Sequence, residues 1–290
     1  MLRLLLARHG QPEAHVRGLI QGSADLPLTP TGHLQGRLLA ERIQREHRLA
    51  AVFSSPLVRA CDIAKDIASR LSVPLIVDPR LAEVATGILA GVSRAEAATR
   101  WPLPSRGHLL FERIPGGESL IDTYARVAEF LLNLFDVLGE PFPGVLGRRT
   151  LRFEGEVETT RDLAPWENEL KAAVKRTSRA GAPGAGVNPS GARASSGASV
   201  TLLLVSHGGA LAELFHVLLG LPVNAPAVIT HADTGLSEVV LDGGRLWVVR
   251  TSCQAHLPPI LRRPEDRDVA TEDAASVDAA VRAWQVRSTG

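Results

Sequence analysis

The sequence predicts an α/β fold, a three-layer α/β/α sandwich with a mostly parallel central sheet and helices on both of its faces. Three observations carry this. Two apolar runs, Leu4–Ala7 and Val200–Val205, have the length of buried strands, and each ends in a histidine followed by glycine. Around them, short strand-like runs alternate with stretches of helical periodicity. The 290 residues are 45% hydrophobic, ordinary for a globular chain with a sizeable core.

Taken in order, the first strand ends at Arg8-His9-Gly10, and a loop follows from Gln11 to Leu28. Thr29 is a helix N-cap with Pro30 at the first helical position, and Leu34, Leu38, Leu39 and Ile43 mark one apolar face of a helix to about His47. Ala51–Ser54 reads as the second strand; Ser55-Pro56 opens a helix to about Leu71 with Arg59 in its first turn. Pro74–Val77 is a third strand, followed by Leu81-Ala-Glu83 in a loop. A short helix spans Ser93–Arg100, and Gly116-Gly117-Glu118-Ser119 introduces a long amphipathic helix to about Leu138. Residues 140–199 break the pattern as an insertion. It holds a strand pair (Thr150–Phe153, Glu156–Thr159), a helix (Pro165–Arg176) and a Gly-, Ala- and Ser-rich stretch over 178–199 with too little apolar surface to fold. After Val200–Val205 and its helix, two strands, Gly235–Leu241 and Leu246–Thr251, flank an Asp242-Gly243-Gly244 turn. The expected domain is therefore 1–257 interrupted by 140–199, with a polar tail over 258–290 that contains a weak helical stretch, Ala274–Val286.

A net charge of +1 gives no basic field for nucleic acid. Cys61 and Cys253 form no disulfide framework, which points to a reduced, cytoplasmic chain. The N-terminal apolar run is too short for a signal peptide, and no segment approaches the roughly 20 apolar residues of a membrane span.

In an open α/β sheet, ligands bind beyond the carboxyl ends of the strands. Here four such ends each deliver a group suited to a phosphate: Arg8 and His9 after the first strand, Arg59 after the second, Glu83 after the third and His207 after Val200–Val205. A guanidinium fork clamps phosphoryl oxygens, and an imidazole can attack phosphorus.

With these motifs in order, the chain resembles the histidine phosphatase superfamily, the phosphoglycerate-mutase-like fold. The likeness rests on Arg8-His9-Gly10, the segment Asp25-Leu-Pro27-Leu28-Thr29 to Gln35, Ser54-Ser55-Pro56 to Arg59-Ala60 and Leu81-Ala-Glu83 with Gly87 and Gly91. It continues in Pro115-Gly-Gly117-Glu118-Ser119 and Val205-Ser206-His207-Gly208-Gly209. The resemblance implies a metal-independent phosphomonoesterase without a cofactor, acting on a small phosphorylated metabolite. His9 would be the nucleophile, neutral and with one ring nitrogen held by a backbone acceptor. Arg8, Arg59 and His207 would bind the phosphoryl oxygens. Glu83 would be general acid and then general base, which requires a protonated carboxyl in the first step and implies a mildly acidic activity optimum.

The chain departs from the family in places. Pro12 and His15 stand where a threonine and a phosphate-holding asparagine are frequent, Leu19 where an arginine is, and Ser252 where an asparagine is. His15, Gln21 and Gly22 are the further candidate substrate-binding residues. Mutases of this family carry adjacent arginines and a lysine between Glu83 and the Glu118 motif to hold a second phosphate. Here that stretch has no lysine and scattered arginines, which favours the phosphatase branch, with a phosphoglycerate-type mutase as the alternative and a non-catalytic phosphate-binding module as the third reading. If the insertion lies over the pocket, Trp166 and Arg148, Arg149 and Arg152 would reach substrate. A homodimer through an exposed edge strand or the insertion is left open.

Overall fold

The computed structural model describes residues 1–100, 110–140, 165–179, 199–225, 229–258 and 261–263. The strand pair at 150–159, the three arginines of the insertion and the helical stretch in the tail lie outside them. Among the described residues, six strands form one sheet in the order β3-β2-β4-β1-β5-β6. These are β1 (Leu2–Arg8), β2 (Ala51–Ser54), β3 (Leu75–Val77), β4 (Val200–Ser206), β5 (Leu236–Asp242) and β6 (Arg245–Cys253). The first four run parallel, while β5 and β6 form an antiparallel hairpin at one side.

Because strand side chains alternate between faces, β1 is apolar throughout and fills two cores. Leu4 and Leu6 join Phe53, Leu202, Leu204 and Val239 on one face; Leu5 and Ala7 join Val52, Leu203 and Val205 on the other. The second face is covered by α2 (Pro30–Glu46), through Leu39 and Ile43, and by α3 (Val58–Leu71), through Ile63 and Ile67. Thr29 caps α2 as expected, accepting from Gly32 N. The start of α3 comes two residues later than Pro56, because Leu57 stays extended while Ser55 Oγ accepts from its N–H. Asp25 Oδ1 then accepts from Val58 N at 2.7 Å.

The first face is covered by α5 (Leu120–Leu138), α6 (Pro165–Arg179) and α7 (Gly208–Leu218). Shorter helices, α1 (Glu13–Val16) and α4 (Arg94–Arg100), sit in the loops. Ser119 and Asp122 form a reciprocal capping box at the start of α5. The helix of the insertion is longer than its sequence signal and docks on the core. Leu170 is fully buried, and the Trp166 ring meets Phe53 edge-on at 5.4 Å. Trp166 thus packs under the sheet rather than over a pocket.

The chain beyond β6 also returns to the core. Leu257 and Leu261 pack against Leu38, and the His256 ring lies 3.1 Å from Thr234 Oγ1 and 3.5 Å from Arg42 Nη1. Burial, then Arg42 and Arg262, push His256 down to about 3; burial and Arg8 push His231 down to about 4. In the unfolded chain both titrate near 6.5, so below that pH the unfolded state takes up protons that the folded state refuses. Each group therefore costs about 2 kcal/mol of stability by pH 5 and nothing above pH 7. The expected result is a Tm that falls from pH 7 to pH 5 and a shallower fall in His256→Gln; equal slopes for the two proteins would contradict it.

Candidate active site

The parallel pairing of β1 with β4 places Arg8 opposite Ser206, so His9 and His207 leave the sheet side by side. Their ring centroids are 5.0 Å apart and both are buried. His9 Nδ1 lies 2.7 Å from the Gly10 carbonyl, which can only accept. The network therefore assigns the proton to Nδ1 and leaves the Nε2 lone pair free of a proton. Burial, then Arg8 and Arg59, hold the His9 imidazole well below 6.5, against the weaker opposing pulls of Asp233 and the Gly10 carbonyl. It is neutral across the physiological range.

His207 takes the opposite tautomer. Its Nδ1 accepts from Arg59 Nε at 3.2 Å, so Nε2 carries the proton and donates to Ser55 Oγ at 2.7 Å. Burial, then His9 and the nearby arginines, lower its pKa well below 6.5. Arg59 is fully buried at the start of α3 and donates to the carbonyls of Gly22 and Ala24 at 2.8 and 2.9 Å. Burial draws its pKa down to about 10, partly offset by Glu83 and Asp25, which leaves it charged at neutral pH.

Arg8 turns to the other side of His9. Its Nη1 donates to the His231 carbonyl at 2.7 Å and lies 3.7 Å from Asp233, and its Nη2 is 3.4 Å from His15 Nε2. The His15 ring centroid is 6.4 Å from that of His9. Gly22 contributes its carbonyl to Arg59, and its φ of +47° with Thr86 against its Cα leaves no room for a side chain. Gln21 Nε2 is buried with no hydrogen-bond partner among the described residues.

Glu83 reaches the start of α7. Its carboxylate accepts from Val84 N at 3.0 Å, Ala210 N at 3.2 Å and Gly209 N at 3.4 Å. A second carboxylate shapes its loop. Glu118 accepts from Ala85 N and from Arg126, whose guanidinium also donates to the carbonyls of Arg80 and Glu83. A Cβ on Gly209 would stand 2.6 Å from Glu83 Oε1 and 2.8 Å from Val84 Cγ2. Gly209→Ala is therefore expected to move the carboxylate and cut kcat at least about tenfold while Tm changes little, since alanine suits a helix. Steady-state kinetics with a melting curve test this; wild-type kcat would contradict it.

The predicted catalytic and substrate-binding residues Arg8, His9, His15, Gln21, Gly22, Arg59, Glu83 and His207 lie at this end of the sheet, whereas Trp166 does not. Sequence reasoning missed Ser55, which fixes the His207 tautomer, and Arg126, which holds the Glu83 loop. It also missed Asp233 and Arg263, which close the Arg8 side. Ser55 stood inside a quoted motif; Arg263 lay in a stretch that reads as polar tail. Among the described residues, no group of three or more His, Cys, Asp or Glu side chains is arranged to hold a metal ion. No described helix is long and apolar enough to cross a membrane. A buried neutral imidazole with a free Nε2, between two arginines and beside a carboxylate, can attack a phosphoryl group and stabilise its charge.

Known proteins resemble the chain in sequence and in fold. Residues 4–138 match the profile of the histidine phosphatase superfamily, branch 1. Phosphoserine phosphatase 1 of Hydrogenobacter thermophilus is 34% identical over 134 residues, 45% of this chain and 63% of that protein. A probable phosphoglycerate mutase of Proteus mirabilis is 35% identical over 130 residues, 44% of this chain and 60% of that protein. The aligned part thus spans less than two thirds of these relatives. Among solved structures, a mycobacterial glucosyl-3-phosphoglycerate phosphatase superposes with a TM-score of 0.59 at 25% identity, covering 86% of this chain and 98% of the other. The motifs, the sheet order and this profile match agree: the chain is similar to the histidine phosphatase superfamily over residues 4–138, and its fold matches that of a solved phosphatase.

Proposed function

We propose that the protein is a phosphomonoesterase that works through a phosphohistidine at His9, without a metal ion. The observation that carries this is the neutral His9 ring, its Nδ1 tied to Gly10 and its Nε2 free, set between Arg8, Arg59 and His207. In the first half-reaction Nε2 attacks phosphorus in line, the P–N bond forms, and the P–O bond to the leaving group breaks. Protonated Glu83 gives its proton to the departing oxygen. In the second, water attacks phosphorus, gives its proton to Glu83, and displaces His9, releasing inorganic phosphate. Arg8 and Arg59 offset the charge on the phosphoryl oxygens, and His207 adds a donor once its Nε2 proton turns from Ser55 Oγ to a phosphoryl oxygen. His15, Gln21 and Gly22 are the further substrate contacts of this reading, supported by the approach of His15 to Arg8 and of Gly22 to Arg59.

The substrate class is a small phosphorylated metabolite in the cytoplasm. The catalytic unit proposed is residues 1–257 with 140–199 as an insertion, and the start of the following tail packs back onto it through Leu261 and Arg263. Val248 and Val249, half-exposed on edge strand β6, support a homodimer. The likeness to a probable phosphoglycerate mutase keeps phosphomutase as the second reading. The test is hydrolysis of an aryl phosphate by the purified chain with and without chelator. Turnover that survives chelation is expected; no turnover, with activity only in a mutase assay primed by a bisphosphate, would replace the first reading with the second.

A further inference from the structure

We propose that Asp233 is a positioning residue that sets the orientation and available charge of Arg8, and that Arg263 tunes it by sharing the same carboxylate. This rests on the phosphohistidine reading of the site. Asp233 is fully buried just before β5, and a buried carboxylate is tolerated only when cations surround it. Three do. Arg263 binds it with two hydrogen bonds, Nε to Oδ2 at 3.0 Å and Nη2 to Oδ1 at 2.5 Å. Arg8 Nη1 faces Oδ1 at 3.7 Å, and His15 Nδ1 faces Oδ2 at 3.8 Å.

Asp233 therefore reaches Arg8 by two routes. One is direct, to Nη1. The other runs through His15: its Nδ1 points at Oδ2, and its Nε2 accepts from Arg8 Nη2 at 3.4 Å. Nη1 is held by the His231 carbonyl at 2.7 Å and feels the carboxylate through its charge, while Nη2 is reached through His15, so one carboxylate acts on both terminal nitrogens. Oδ1 is shared between Arg8 and Arg263, so the two arginines compete for its charge. Removing the carboxylate frees Arg8's charge for a phosphate but loses its aim. Removing Arg263 leaves the whole of Oδ1 to Arg8 and weakens its grip on a phosphate. Opposite signs are the signature, because general loosening of the pocket moves both variants the same way.

The experiment measures binding of inorganic phosphate by calorimetry, and kcat on an aryl phosphate, for wild type, Asp233→Asn, Arg263→Gln and Arg263→Lys. Asp233→Asn is expected to bind phosphate at least threefold more tightly while kcat falls at least tenfold. Arg263→Gln is expected to bind at least threefold more weakly, and Arg263→Lys to lie within threefold of wild type. If Asp233→Asn does not fold, the contrast between Gln and Lys at 263 decides. Shifts of the same sign, or none beyond threefold, overturn the proposal. A wild type that binds phosphate without turnover would overturn the phosphatase reading and leave the binding contrast to judge Asp233 by itself.

Discussion

His9→Ala is expected to lower kcat by at least about 10,000-fold on any phosphomonoester the wild type hydrolyses, because a nucleophile cannot be replaced by its neighbours. The substituted site keeps Arg8, Arg59 and His207, so phosphate binding survives. His207 cannot take over the attack: its Nδ1 accepts from Arg59 and its Nε2 proton is spent on Ser55. The check is kcat together with phosphate affinity on the same preparation. A variant retaining a tenth of wild-type turnover would mean that water attacks phosphorus directly and that His9 only binds.

Glu83→Gln separates the two half-reactions. Glutamine keeps the shape, and its one carbonyl oxygen can still accept from Val84 and Ala210, which share Oε1 now, while the weaker bond from Gly209 to Oε2 is lost. It can neither give a proton to a leaving group nor take one from water. With an alkyl phosphate both steps suffer, and kcat is expected to fall about 100- to 10,000-fold, the range general acid–base catalysis supplies. With a nitrophenyl phosphate the leaving group needs no proton. The first step then survives, and the phosphoenzyme accumulates as a burst of nitrophenol of about one equivalent. Rapid mixing reads this directly. Equal losses on both substrates without a burst would remove Glu83 from the mechanism.

Much of this was legible in the sequence because buried parallel strands announce themselves. Leu4–Ala7 and Val200–Val205 are too apolar to be anything but central, and a histidine at the end of each is placed by the sheet itself. Thr29-Pro30 and the run from Gly116 to Ser119 marked helix starts for local reasons, and local rules transfer from sequence to structure. What stayed hidden depended on contacts distant in sequence. Asp233 and Arg263 meet only once β5 and the chain after β6 have folded against α2, and nothing in either stretch marks the other. Trp166 in an interrupted region reads equally well as a pocket lid or a core residue. Only Phe53 beside it decides. The short tie from Arg126 to the Glu83 carbonyl is likewise a tertiary event.

The most direct test of the account is the stereochemical course at phosphorus, using a phosphomonoester made chiral with oxygen isotopes and thio substitution. Two in-line displacements, one by His9 and one by water, each invert the centre. Net retention in the released phosphate is the expected result. Net inversion would mean a single displacement by water, and with it the phosphohistidine would fall.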